Sequence, residues 1–74
     1  MKYIIEIHEN REPGVTRFSA TVEGLDNCVL EEPTLDDMYK NAPEVVKAVI
    51  ETSNECGSTF PLPTAFEFRL LISA

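Results

Sequence analysis

The sequence predicts a small α+β domain of order β-β-β-α-β, an antiparallel sheet with one helix on one face. Apolar and polar residues alternate over 2–9, 15–23 and 65–73, as strands with one buried face require. Between Leu35 and Ile50 the apolar residues recur instead at three- and four-residue spacing, the signature of a helix stripe. Turn formers separate these stretches, and no internal repeat or linker divides the 74 residues. The expectation is one domain over 1–74 with no separate DNA-binding domain.

The first strand is KYIIEIHE, residues 2–9, with Tyr3, Ile5 and Ile7 on one face and Ile4, Glu6 and His8 on the other. NREPG, residues 10–14, is a turn built on Asn10, Pro13 and Gly14. VTRFSATVE, residues 15–23, returns as the hairpin partner with Phe18, Ala20 and Val22 inward. A turn over Gly24 to Asn27 leads into a short third strand, residues 27–32, holding Cys28, Val29 and Leu30.

Thr34 is placed to cap a helix, with Asp37 three residues on in a capping box where Asp replaces the usual Glu. Pro43 lacks an N–H and its ring crowds the carbonyl of Tyr39, which predicts a kink, or a fresh start capped by Asn41. Gly57 ends the helix, with Ser53 and Asn54 fraying before it. STFPLPT, residues 58–64, is a proline-stiffened connector to the last strand, where Phe66, Phe68, Leu70 and Ile72 point inward. Because that strand is entered from a helix, a crossover can lay it parallel to a neighbour.

Composition narrows the function classes. Thirteen acids against six bases give a formal charge of −7, and Lys2, Arg11, Arg17, Lys40, Lys47 and Arg69 are scattered along the chain. Phosphate binding draws on clustered cations, so nucleic acid is not expected as a direct partner. An acidic surface suits a basic protein partner, whose approach it accelerates. No apolar run approaches a membrane span and MKYIIEIHEN is not a secretory signal, so the expected location is cytoplasmic. In that compartment Cys28 and Cys56 are expected as free thiols.

The stretch GLDNCVLEEPTLDD, residues 24–37, concentrates a cysteine and five acids. A nucleophilic thiol needs a cation, a histidine or a helix N-terminus to lower its pKa, and the acids around Cys28 work the other way. Cys28 therefore reads as a small buried residue. Asp36 and Asp37 fit the first helical turn, where the dipole favours negative charge by about 0.3–1 kcal/mol each. His8, the single histidine, stands alone at a strand end, whereas a general base would need a companion. The chain holds no phosphate-loop, dinucleotide, zinc-protease or nucleophile-elbow motif. No catalytic residue, cofactor or metal is expected.

Gly14, the alternating TRFSATVEGL, Cys28 four residues after Gly24, and Thr34-Leu35-Asp36-Asp37 opening a helix together resemble the HicB-like antitoxin domain. The resemblance covers essentially the whole chain and is greatest to the small stand-alone group of that superfamily. The proline-bearing helix NAPEVVKAVI and the final FEFRLLIS carry it further. Leu25 and Cys28 stand at the ends of the family's L-P-G-C turn, with Asp26-Asn27 replacing Pro-Gly, and Thr34 stands at its helix-capping threonine. The resemblance implies a reduced ribonuclease-H-like fold without a nuclease site. It also implies a non-enzymatic antitoxin-like domain that neutralises a small basic, mRNA-cleaving toxin.

Two readings from other classes stand beside that one. Glu31, Glu32, Asp36 and Asp37 would serve a small-ligand or metal-binding domain, or a vestigial enzyme. A structural dimer without antitoxin activity is the other. A chain of this size has a thin core, so a homodimer is expected, with Phe66, Phe68, Leu70 and Leu71 of the last strand as its interface.

Overall fold

The computed structural model describes residues 1–71 and, at positions 26 and 27, the backbone alone. Ile72, expected on the inward stripe, lies outside the described residues. The elements are β1 (Lys2–Glu9), β2 (Phe18–Val22), β3 (Leu25–Glu32), α1 (Leu35–Glu55) and β4 (Ala65–Leu71), the α+β class and order read from the sequence. The sheet runs β3-β2-β1-β4. It is mixed: β1 pairs antiparallel with β2, and β2 with β3, whereas β4 lies parallel to β1. The helical crossover accounts for this, since α1 carries the chain from one edge of the sheet to the other.

One sheet face and the helix stripe make the core. Tyr3, Ile5 and Ile7 of β1, Phe18, Ala20 and Val22 of β2, and Leu25, Cys28 and Leu30 of β3 are all buried. Met38, Ala42, Val46 and Ile50 meet them from α1, each with no exposed surface. Burial of each large aliphatic chain is worth about 1.5–3 kcal/mol. No polar or charged residue is buried among the described residues.

The turns lie where backbone chemistry puts them, which differs from the expected positions in two places. Val22 pairs with Leu25 across a two-residue turn, Glu23-Gly24, with Gly24 at φ +87°. The turn therefore precedes Asp26-Asn27, which run within β3; only glycine takes that positive φ without strain. The next pair is Thr21 with Val29, so the register slips where the extra residues of β3 are taken up. The first hairpin is also longer than expected, for Val15 to Arg17 are loop. Asn10 holds this loop, its N–H donating to Arg17 O at 2.6 Å and its Nδ2 to Thr16 O at 3.0 Å.

The helix begins as expected: Thr34 is extended and its Oγ1 accepts the Asp37 N–H at 3.1 Å. It does not restart at Pro43, which sits inside a continuous span of 21 residues. Asn41 is no cap; its Nδ2 donates to Glu32 Oε1 at 3.2 Å and ties α1 to the end of β3. Nor does the C-terminal turn fray. Gly57, at φ +105°, donates to Asn54 O, and Ser58 donates to Ser53 O, a Schellman closure. Asn54 then fastens the connector, accepting Phe60 N–H at 2.8 Å and donating to Phe60 O at 3.0 Å. Tyr3 adds a 2.6 Å bond from its hydroxyl to Pro61 O.

Candidate functional site

The residues singled out for chemistry fall in separate places. Cys28 is 2% exposed among aliphatic neighbours, and burial pushes its thiol above the usual 9.0. That is the opposite of what a nucleophile needs. Cys56, the helix C-cap, is exposed. His8 is half-buried on the uncovered sheet face, level with Ser19 of β2 and Leu71 of β4. Among the described residues, no three His, Cys, Asp or Glu side chains come together as a metal site.

The four carboxylates of interest line the passage from β3 to α1. Glu31 is exposed at the end of β3, Glu32 accepts from Asn41, and Asp36 and Asp37 occupy the first helical turn. Four of the six bases are held elsewhere, and Lys40, one helical turn after Asp36, makes no ion pair among the described residues. Glu9 receives Arg11 Nε at 3.1 Å and Arg17 Nη2 at 3.2 Å; Glu67 receives Lys2 Nζ at 3.0 Å and Arg69 Nε at 2.7 Å. Each carboxyl is thereby held below the usual 4.5, chiefly by its side-chain hydrogen bonds from Arg11 and from Lys2 respectively. Among the described residues, these two acids take every ion pair; none reaches the β3–α1 passage.

The other exposed feature is β4, an edge strand paired among the described residues with β1 alone. Phe66 and Phe68 lean toward α1 and are half-buried, and the Phe68 ring meets Tyr39 edge to face, centroids 4.9 Å apart. Leu70 shares their parity but does not enter the core: it is 41% exposed, and Leu71 on the other face is 39% exposed. The inward expectation for Leu70 fails because the helix stripe, Met38 to Ile50, closes over β1, β2 and β3 and leaves the end of the edge strand uncovered. The four residues expected at an interface thus share one strand at one edge, two half-covered and two open.

Sequence reasoning missed Tyr39 and Asn54. Tyr39 sits on the helix stripe, and nothing in the sequence marks that it packs on an edge strand. Asn54 lies before Gly57 in a turn-rich stretch, where an amide that clamps a connector reads the same as a frayed end. Among the described residues, no helix is long and apolar enough to cross a membrane. In comparisons with family models, curated proteins and solved structures, nothing matches the chain.

Proposed function

We propose that the chain is a HicB-like, non-enzymatic protein-interaction domain of the cytoplasm that captures a small basic partner, an mRNA-cleaving toxin in the antitoxin reading. The observation that carries this is a run of carboxylates without ion pairs at the β3–α1 passage. Lys2, Arg11, Arg17 and Arg69 are engaged by Glu9 and Glu67, while Glu31, Glu32, Asp36 and Asp37 make no ion pair among the described residues, even with Lys40 one helical turn away. Carboxylates left uncompensated on a surface raise the local concentration of a cationic partner and speed its docking.

The resemblance to HicB-like domains supplies the identity of the partner class, and the acidic passage supplies the surface. If the adjoining reading frame encodes a small basic protein, mixing the two should give a complex on size exclusion at low salt that weakens as salt rises. Glu31→Lys with Asp36→Lys should abolish that complex and leave the far-ultraviolet circular dichroism unchanged. A complex indifferent to both substitutions, or none at all, rejects this surface. The metal-binding reading gains no support from the geometry, since the four carboxylates do not converge among the described residues.

A further inference from the structure

We propose that β4 pairs antiparallel with β4 of a second copy, centred on Phe68, to join the two sheets into one. The inference rests on the edge strand and not on the acidic surface, so it stands or falls apart from the function above.

The two edges of this sheet are unlike. At β3 the register slips between Thr21 and Val22, and the strand ends in Glu31 and Glu32; irregularity and charge both discourage added strands. At β4 the pairing with β1 is unbroken from Ala65 to Leu71, with exposed Leu70 and Leu71. A regular apolar edge of this kind is a template for another strand.

The direction of its free peptide groups follows from the neighbouring ladder. Glu23 N–H donates to Ile4 O, and Asn10 N–H to Arg17 O; these bonds flank the pairs Ile5–Val22 and Glu9–Phe18. Both pairs are therefore of the non-hydrogen-bonded kind, and Tyr3, Ile5 and Ile7 turn their peptide groups toward β4. In a parallel ladder such residues bond the positions flanking their partners. Ile5, level with Phe68, thus engages Glu67 and Arg69. Phe66, Phe68 and Leu70 are left with N–H and C=O directed away from the sheet.

The sequence of β4, AFEFRLL, is self-complementary about Phe68. A two-fold axis there sets Phe68 against Phe68, Phe66 against Leu70, and Glu67 against Arg69, twice over. The outward peptide groups of Phe66, Phe68 and Leu70 then bond one another. Residues directly opposite across an antiparallel pair share a face, so a one-residue slip is excluded by the pleat. The next permitted registers set Glu67 against Glu67 or Arg69 against Arg69, both repulsive. Charge therefore selects the Phe68-centred register and selects a second copy as the occupant. In the single chain Arg69 bonds Glu67 on its own strand at 2.7 Å, an exposed pair that can be exchanged for the cross-strand one at little cost.

Sedimentation equilibrium over a dilution series tests this with two single variants. Glu67→Arg sets two arginines against each other across the two-fold, and Arg69→Glu sets two glutamates. Each should raise the dimer dissociation constant by about tenfold or more. Mixed in equal amounts, the two variants carry opposite charges at both positions and should recover dimerisation of wild-type strength. That recovery separates lost pairing from lost folding, because a misfolded variant cannot be rescued by a different one. A wild-type chain that stays monomeric up to about 1 mM overturns the proposal. So does a dimer that neither variant weakens, or weakened variants that fail to recover on mixing.

Discussion

Thr34 Oγ1 accepts the Asp37 N–H at the head of α1, and no described bond returns from the Asp37 carboxylate to complete the reciprocal box. The capping value therefore rests on one hydroxyl, and Thr34→Ala should cost about 1 kcal/mol. Thermal unfolding would register it as a fall of roughly 4–8 °C for a domain of this size. Deeper in, Ile5 is fully buried on a strand paired along both edges, and Ile5→Ala should cost about 2–5 kcal/mol, measured by urea titration. That is a large part of the total stability of a small domain. The two cysteines give an independent check on burial. A thiol reagent added to native protein should label Cys56 at once and Cys28 only on unfolding, because Cys28 is buried and its thiol is held protonated. Rapid labelling of both would show that β3 opens readily.

At the scale of elements, periodicity was readable and punctuation less so. Strand β1 matches its alternation to the residue, since Tyr3, Ile5 and Ile7 need no information beyond their own spacing. The β2–β3 turn was displaced because Asp26-Asn27 and Glu23-Gly24 are both turn formers; the demand for positive φ at Gly24 decided between them. Pro43 was expected to interrupt α1. The stripe of Met38, Ala42, Val46 and Ile50 packs on the sheet as one surface, and that burial outweighs one missing hydrogen bond. Replacing Pro43 with alanine restores an N–H toward the Tyr39 carbonyl and should raise stability by about 1–3 kcal/mol in chemical denaturation. The candidate interface was legible as apolar parity in β4. Its place at an edge was not, because strand order is settled by non-local packing that local spacing does not encode.

For the whole molecule, the response to acid is carried by two ion-paired carboxylates. Glu9 and Glu67 sit in surface ion pairs that hold their carboxyl groups below the ordinary 4.5. Their folded pKa is depressed, so their stabilisation is complete above about pH 4.5 and is lost as pH falls through the lower folded value. Melting temperature should therefore drop between about pH 5.5 and about pH 3, and NMR titration of the two side chains should show midpoints below the ordinary 4.5.

The parallel pairing of β4 with β1 also governs how the chain reaches its native state. Lys2 and Glu67, joined by an ion pair, are 65 positions apart in the chain, so that edge of β1 closes only by bringing the two ends of the chain together. Closing so large a loop precedes any reward from the contact, which slows folding relative to a chain of local hairpins. During synthesis β1 emerges ahead of the helix, and one of its edges waits for a strand made after it. The hairpin of β1 and β2 can form in the interval, but β1 stays half-paired, a period in which it is open to the wrong neighbour.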